Sequence, residues 1–271
     1  MDAPKVTVPD LGRSKVAGDK LVMITCYDAT FARLLDEAGV DLLLVGDSLG
    51  MVVQGQDTTL PVTLDEMVYH CRMVSRGAGR AMVVGDLPFG AFQQGTKAAV
   101  RSSIRLVKEG GVSMVKLEGG IPMAATIEAI ARVDVPVMAH IGLTPQSYHR
   151  MGGHKVQGRE HGHGAGQHER LLDDARAVQE AGAAAVVLEG MPRSLAGEIT
   201  KSLAIPTIGI GAGPDCDGQV LVLHDVIGLS GAKLKFAKSY GNVAGEVARA
   251  VHEYAEDVRT GGFPDDAHSF H

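Results

Sequence analysis

Residues 42–47 of the chain, LLLVGD, form a short apolar run that ends in a glycine and a carboxylate. Three further runs end in the same way: MVVGD at 82–86, VKLEGG at 115–120 and VVLEG at 186–190. A short apolar run bounded by glycine is typical of a strand that is buried on both faces of a parallel sheet. The pattern therefore predicts parallel strands whose carboxyl ends carry acidic side chains.

The whole chain repeats this unit of a strand followed by a helix. Eight apolar runs are predicted to be strands: Leu21–Thr25, Leu42–Gly46, Met82–Gly85, Ser113–Leu117, Val135–Ile141, Ala185–Leu188, Pro206–Gly209 and Val220–Leu223. Helical periodicity separates most of them, over Thr30–Ala38, Leu64–Gly77, Thr96–Glu109, Met123–Arg132, Glu169–Ala181 and Arg193–Leu203. With about 34 residues per unit, the 271 residues fit an α/β fold of the (β/α)8 TIM-barrel class. A Rossmann-like sheet of six or seven strands is the alternative.

We expect one barrel domain over residues 1–271, with an N-terminal extension of about residues 1–20 and a His- and Gly-rich loop at about residues 152–168. Hydrophobic residues make up 45% of the chain, which excludes a disordered protein, and a net charge of −6 argues against nucleic-acid binding. The three cysteines are widely spaced and indicate neither a disulfide framework nor a zinc ribbon. Without a signal segment or a membrane-length apolar run, we expect a cytoplasmic protein with no membrane partner.

The acidic strand ends predict a metal site. In a barrel the carboxyl ends of the strands face the active site, which would gather Asp47, Asp86, Glu118 and Glu189 around one mouth. Lys116 should point to the same side as Glu118, because side chains alternate along a strand. Carboxylates that lie close together repel one another, and Mg²⁺, which prefers oxygen ligands, would relieve the repulsion. The alternative is that each acidic residue caps the helix that follows it.

Residues 46–50, GDSLG, also match the G-x-S-x-G pattern of serine hydrolases, and a D-x-x-H string occurs at 265–268. That motif requires a helix directly after the serine, whereas we expect a loop after Ser48. A hydrolase would also leave the other acidic strand ends unexplained. We therefore regard the GDSL-type hydrolase as the weaker hypothesis.

Several histidines and a glycine loop allow two interpretations each. His140, near the end of the fifth predicted strand, is either a substrate contact or a hydrogen-bonded core residue. Four histidines occur in the long loop that precedes residue 169: His154, His161, His163 and His168. They could bind a soft metal, but a glycine-rich loop is a poor preorganised cage, so we favour a mobile surface loop. The glycines of residues 209–213 form either a phosphate-binding loop or a tight turn.

Longer strings in the sequence resemble the ketopantoate hydroxymethyltransferase family. The matching strings run in order from about Leu21 to the C-terminus: TCYDATFARLLDEAG, LLVGDSLGMVVQGQDTTLPVTLDEMVYHC, GDLPFGAF, MVKLEGG, HIGLTPQS, GGHKVQGR, IPTIGIGAG, CDGQVLVLHD and FPDDAHSFH. The resemblance implies a (β/α)8 barrel of the phosphoenolpyruvate/pyruvate type. It also implies a homo-oligomer, commonly a decamer of two pentameric rings, and a cytoplasmic role in pantothenate biosynthesis.

The same resemblance implies a role for each acidic strand end. Asp47, Asp86 and Glu118 match the family's magnesium ligands, and Glu189 matches its proton acceptor. The positions that contact the ketoacid fall on four residues: Asp47, Ser48, Asp86 and Lys116.

The implied reaction transfers a hydroxymethyl group from the co-substrate 5,10-methylenetetrahydrofolate to 2-ketoisovalerate (3-methyl-2-oxobutanoate). The product is 2-dehydropantoate (ketopantoate), and the resemblance implies an enolate stabilised by Mg²⁺. Lys116 would act electrostatically, although a lysine at a barrel strand end can also form a Schiff base. A metal-dependent carbon–carbon lyase on the same barrel and a non-catalytic metal-binding assembly built on the histidine loop remain as alternatives.

Overall fold

Within residues 4–161, 166–231 and 234–271, which the computed structural model describes, eight parallel strands close into a barrel in chain order. They are β1 (Leu21–Thr25), β2 (Leu42–Val45), β3 (Met82–Asp86), β4 (Met114–Glu118), β5 (Val137–Gly142), β6 (Ala185–Glu189), β7 (Thr207–Ile210) and β8 (Gly218–Leu221). Because β8 pairs with β1, the sheet has no open edge. The predicted (β/α)8 barrel is therefore confirmed, and the open Rossmann-like sheet is excluded.

The helices follow the strands as the periodicity indicated. They are α1 (Val8–Ala17), α2 (Ala29–Glu37), α3 (Leu49–Val52), α4 (Leu64–Gly77), α5 (Thr96–Arg105), α6 (Ala124–Ala131), α7 (Tyr148–Met151), α8 (His168–Glu180), α9 (Arg193–Ser202), α10 (Leu223–Val226) and α11 (Val243–Thr260). Helix α5 continues as a π-helical turn over Leu106–Gly110, so the helical segment ends one residue beyond the predicted Glu109. Short 3₁₀ turns lie at Ile121–Met123, Pro145–Ser147 and Asp266–His268.

Five of the strands, β3 to β7, end one residue later than predicted, and in three of them the extra residue is acidic. Strand β3 includes Asp86, β4 includes Glu118 and β6 includes Glu189 as their last residues. The direction in which these three side chains point therefore follows the two-residue alternation of the strand.

Alternate side chains of the strands fill the inside of the barrel. One buried cluster takes residues of a single parity from each strand: Leu21, Met23, Leu42, Leu44, Met82, Val84, Met114, Met138, Ala185, Val187, Ile208 and Val220. Two residues beyond Val84, Met138 and Val187 come Asp86, His140 and Glu189, and Lys116 and Glu118 follow Met114 in the same way. The polar residues thus form the upper layers of an interior whose lower layers are apolar.

Helix α1 contributes to the opposite end of this interior. Leu11 is 1% exposed and belongs to the interior cluster, with Val6 and Val8 packed against it. The backbone N–H of Val6 donates to the carbonyl of Arg80, two residues before β3 begins. Within the predicted N-terminal extension, residues 4–20 therefore contain a helix that packs against the amino ends of the strands.

The chain divides into two compact units, one ending at Val222 and the other covering Leu223–His271. The first contains all of the barrel strands named above. In the second, α11 begins after Asn242, whose side chain caps the helix, and ends at Gly261 in the left-handed region. The expectation of one domain over residues 1–271 concerns how the two units sit together, and it stays a prediction.

None of the helices in the described parts of the chain combines the length and the apolar character that a membrane crossing requires. The longest of them, α11, has 18 residues, and nine of its positions along VAGEVARAVHEYAEDVRT are charged or polar side chains or glycine.

Candidate active site

The polar ends of three neighbouring strands form one continuous surface at the barrel mouth. Asp86 of β3 is paired in register with Lys116 of β4, and Glu118 of β4 is paired with His140 of β5. Paired residues on neighbouring parallel strands point to the same side of the sheet. The barrel therefore brings together side chains that are separated by up to 54 residues in the sequence.

Asp86 is held by two hydrogen-bond donors. The Nζ atom of Lys116 lies 2.5 Å from one carboxylate oxygen, and the backbone N–H of Asp47 donates to the other at 3.1 Å. Gly46 permits this approach, because a Cβ atom at that position would lie 3.4 Å from the Asp86 carboxylate and 2.8 Å from the Ser48 hydroxyl. The turn after β2 therefore lies in close contact with the end of β3.

Burial and repulsion act on the carboxylates of the site. Asp47 is 4% and Glu118 is 7% exposed. Burial, and then the charge of Asp86, raise the pKa of Asp47 from 3.8 to about 7. Burial, and then the charge of Asp47, raise the pKa of Glu118 well above its ordinary value. The protein alone therefore does not stabilise all of these negative charges, and a cation would do so.

Lys116 is charged and is held in place. Burial acts to lower the pKa of its ammonium, but the charges of Asp86, Glu118 and Asp47 outweigh burial and raise that pKa. An amine must lose its proton before it can attack a carbonyl group. The geometry therefore favours the electrostatic role of Lys116 over the Schiff-base alternative.

His140 lies between two acidic side chains. Its Nε2 atom is 3.1 Å from the Glu189 carboxylate, and its Nδ1 atom is 3.6 Å from that of Glu118. Burial, and then the charge of Lys116, lower the pKa of the imidazole. The ring is therefore neutral at physiological pH.

The Glu189 side chain is 19% exposed, against 4% for that of Glu118, and so remains more open to a substrate.

Ser48 follows the turn after β2 and lies at the start of α3. The prediction of a loop directly after Ser48 was wrong, because Leu49–Val52 form a short helix that Ser48 precedes as the N-cap residue. Its hydroxyl lies 2.9 Å from the hydroxyl of Tyr27, a buried residue that the sequence did not single out. Tyr27 lies two residues after the end of β1, and this position at a strand end is the signal by which the sequence could have identified it.

Gln146 is the second residue that sequence reasoning missed. Its side-chain amide donates to Asp47 and its backbone N–H donates to Glu118, each at 2.9 Å. The LTPQS string that contains it was noted for the resemblance alone, and its position just after β5 was the signal that pointed to the site.

The donor set suits a magnesium ion. Across the described residues, no three His, Cys, Asp or Glu side chains are already gathered into a metal cage. Mg²⁺ does not require such a cage, since it is usually bound by one or two carboxylates together with waters and substrate oxygens. The uncompensated charge of Asp47 and Glu118 is what such an ion would neutralise.

The histidine loop does not form a common cluster in the described part of the chain. The His154 ring packs at 5.4 Å from that of Tyr148, whereas His168 lies 2.9 Å from Glu198. His163 lies outside the described residues. The mobility predicted for this loop stays a prediction.

A cavity of about 360 Å³ opens beside Glu118. Glu118 and Gln146 belong to its wall, together with Met123, Arg150 and Asp174. Its size is at the lower end of the range for small-molecule sites, and it combines apolar with charged side chains.

Solved structures show the class of fold. A 2,3-dimethylmalate lyase of the PEP mutase/isocitrate lyase superfamily aligns over 98% of this chain and 93% of its own, with a TM-score of 0.60 and 21% identity. The phosphoenolpyruvate phosphomutase of Streptomyces platensis subsp. rosaceus aligns over 94% of this chain and 88% of its own, with a TM-score of 0.63 and 14% identity. These likenesses show the fold, an eight-stranded (β/α)8 barrel that the chain shares with both enzymes.

Sequence comparison defines the family within that fold. The ketopantoate hydroxymethyltransferase family model matches residues 5–266. The 3-methyl-2-oxobutanoate hydroxymethyltransferase of Geobacter metallireducens is 54% identical over 267 residues, which is 98% of each chain. That of Syntrophotalea carbinolica is 57% identical over 265 residues, covering 97% of this chain and 98% of its own. The chain belongs to the ketopantoate hydroxymethyltransferase family.

Proposed function

We propose that the acidic mouth of the barrel is where the chain performs the reaction of its family. The chain is a 3-methyl-2-oxobutanoate hydroxymethyltransferase of pantothenate biosynthesis. The observation that supports this site is the convergence of four acidic side chains, Lys116 and His140 on the carboxyl ends of neighbouring strands. The reaction uses 5,10-methylenetetrahydrofolate as the one-carbon donor, and the ketoacid gains a hydroxymethyl group at C3.

The metal would be held by Asp47, Asp86 and Glu118. Bound there, Mg²⁺ supplies Lewis-acid stabilisation of negative charge on the oxygens of the ketoacid. Oxygen donors from an α-ketoacid would complete the coordination that the three carboxylates leave open. This role accounts for the burial of Asp47 and Glu118, whose pKa values are raised by burial and by neighbouring negative charge.

Lys116 and Ser48 bind the ketoacid from the protein side. The Lys116 ammonium stays charged beside Asp86 and offsets the negative charge that the substrate brings into a site already rich in carboxylates. The Ser48 hydroxyl, which contacts Tyr27, donates to the substrate carboxylate. Asp47 and Asp86 would complete the set of ketoacid contacts, since both would hold the ion that the ketoacid oxygens bind.

Glu189 removes the proton from C3 of the ketoacid. Its side chain is the most accessible carboxylate of the four, and Nε2 of the neutral His140 ring lies 3.1 Å from it. His140 thus contacts Glu189, and its predicted contact with the substrate stays a prediction. C3 then forms a bond to the methylene carbon, the bonds from that carbon to N5 and N10 of the folate break, and tetrahydrofolate leaves with the C3 proton and one proton of water on those nitrogens. The methylene unit brings no oxygen, so one water is consumed to form the hydroxyl group.

Incubation with 2-ketoisovalerate, Mg²⁺ and methylenetetrahydrofolate in D₂O, followed by NMR, tests this function. We expect the hydroxymethyl signal of ketopantoate, and exchange of the C3 proton in a parallel sample without folate. Exchange without transfer would keep the proton-removing site but contradict the folate donor. Neither exchange nor transfer by folded, metal-loaded protein would contradict the proposed function of this mouth.

A further inference from the structure

The LTPQS string at residues 143–147 has no part in the reaction as described so far. It follows β5 directly, and its Pro145–Ser147 form a 3₁₀ turn. Gln146, in the middle of that turn, is 7% exposed although it is a polar residue on a connecting segment. A polar side chain is buried at such a position only when its hydrogen bonds are satisfied.

Gln146 makes hydrogen bonds with every group it has available at the site. Its backbone N–H donates to Oε2 of Glu118 at 2.9 Å. Its side-chain Nε2 donates to Oδ2 of Asp47 at 2.9 Å and to the carbonyl of Leu87 at 3.0 Å. Its Oε1 accepts from Nε2 of Gln93 at 3.1 Å.

These four bonds leave the amide only one orientation. The Leu87 carbonyl can only accept a hydrogen bond, so the group beside it must be the NH₂ of Gln146. The same NH₂ then faces Asp47, while the oxygen faces Gln93. Leu87 is itself anchored, because its backbone N–H donates to the carbonyl of Lys116 at 2.8 Å.

We propose that Gln146 is a positioning residue that fixes the spacing of Asp47 and Glu118 for the metal. The inference rests on the proposed function, in which these two carboxylates hold the ion. One residue donates to both carboxylates, to one through its backbone and to the other through its side chain. Each carboxylate therefore has one oxygen committed to Gln146, which sets the direction in which its second oxygen points.

A substitution of the side chain can separate the two hydrogen bonds that Gln146 donates to the carboxylates. Replacing the side chain removes the bond to Asp47 and keeps the backbone bond to Glu118. Gln146→Ala therefore frees Asp47 alone, whereas Gln146→Glu places a carboxylate oxygen against that of Asp47 at nearly unchanged volume. Outer partners of metal ligands typically contribute a factor of about 10–100 to metal affinity.

The experiment measures Mn²⁺ binding to the full chain without substrate, from the EPR signal of the free ion. We expect the dissociation constant to rise about 10-fold in Gln146→Ala and about 100-fold in Gln146→Glu. Gln93→Ala removes the bond to the Gln146 amide and the bond that Gln93 accepts from the backbone N–H of Gly90, and it should give a smaller rise. Gln94→Ala is the matched control, since Gln94 bonds to the carbonyl of Gly90 and not to Gln146.

A second readout distinguishes positioning from a folding defect. Saturating Mn²⁺ should restore most of the turnover of Gln146→Ala, since the metal ligands themselves are intact. Unchanged Mn²⁺ affinity in Gln146→Ala would overturn the inference and leave the proposed function standing. Absence of Mn²⁺ binding by the unmodified chain would overturn the metal site and this inference with it. If Gln146→Glu does not fold, the Mn²⁺ affinities of Gln146→Ala and Gln93→Ala are enough to test the inference.

Discussion

Glu189 differs from the other acidic side chains of the mouth in what it contacts. It lies beside His140 and has no bond to Lys116 or Gln146 in the described structure. We therefore expect Glu189→Gln to lose C3 proton exchange by at least about 100-fold while Mn²⁺ affinity stays near that of the unmodified chain. NMR in D₂O without folate measures the exchange, and EPR measures the affinity.

The contrasting variant is Asp86→Asn, which keeps the shape of the side chain and removes its charge. It should lose both metal affinity and exchange, because Asp86 is a proposed ligand and the partner of Lys116. Exchange at the normal rate in Glu189→Gln would show that another group removes the proton.

Lys116 should not form a covalent adduct with the ketoacid. Its ion pair with Asp86 at 2.5 Å keeps the amine protonated, and only the neutral amine adds to a carbonyl group. Treatment with borohydride in the presence of 2-ketoisovalerate should leave the mass of the chain unchanged. An aldolase that is known to form a Schiff base serves as the positive control, and a reduced adduct on Lys116 would overturn the electrostatic role.

Asp47 should make the metal-free protein less stable as the pH rises. Its pKa is raised from 3.8 to about 7 in the folded chain, so at intermediate pH the folded state holds a proton that the unfolded state has released. The stabilisation is complete below the unfolded value and is lost as the pH rises through the folded value. We expect the metal-free Tm to fall from about pH 5 to about pH 8, with a smaller fall in Asp47→Asn.

Added Mg²⁺ should oppose that fall, because the ion stabilises the ionised carboxylate. Differential scanning calorimetry at several pH values, with and without Mg²⁺, makes the measurement. Identical pH profiles for the unmodified chain and for Asp47→Asn would contradict the assignment of this titration to Asp47.

Helix α4 depends on a reciprocal cap at its start. The Thr63 hydroxyl accepts from the backbone N–H of Glu66 at 3.3 Å, and the Glu66 carboxylate accepts from the backbone N–H of Thr63 at 2.7 Å. Thr63→Ala removes half of this capping box and should lower the free energy of unfolding by about 1 kcal/mol. Urea denaturation followed by circular dichroism gives the value.

Thr30→Ala is the control for that variant. Thr30 is exposed in the first turn of α2, where Asp28 is the capping residue. The substitution should leave the urea midpoint nearly unchanged, since alanine is the better helix former. An equal loss in the two variants would mean that the effect of Thr63→Ala does not come from the cap.

The complete molecule is predicted to be a homo-oligomer, and the second unit carries a surface that suits one. Four apolar side chains recur along one side of α11 and are each about half exposed: Val247, Val251, Tyr254 and Val258. Exposed apolar stripes of this kind mark interaction surfaces. Light scattering coupled to gel filtration should therefore give a mass about ten times the 28.4 kDa of one chain.

Val251→Glu should reduce that mass, because it places a charge in the apolar stripe. Ala250→Glu adds the same charge one position earlier, about 100° around the helix, and should leave the mass unchanged. A monomeric unmodified chain would contradict the decamer, and an unchanged mass in Val251→Glu would exclude this stripe from the contact. The cytoplasmic location expected from the sequence likewise stays a prediction.

The sequence alone predicted the barrel and most of the mouth, and both for local reasons. Burial of parallel strands on both faces produces apolar runs such as LLLVGD, and the two-residue alternation places Lys116 and Glu118 on one side of β4. Closure of the barrel then brings the carboxyl ends of all strands to one mouth. The family motifs added the residue roles, which neither composition nor periodicity contains.

The tertiary structure decided the contacts that depend on how connecting segments fold back over the mouth. Gln146 reaches Asp47 across 99 positions of sequence, and no local pattern indicates that an amide in a 3₁₀ turn will meet that carboxylate. The placement of His140 between Glu118 and Glu189 and the raised pKa of Asp47 also appear only in three dimensions. Strands and helices follow from the periodicity of neighbouring residues, whereas hydrogen bonds and electrostatic interactions depend on distances in space between residues that are far apart in the chain.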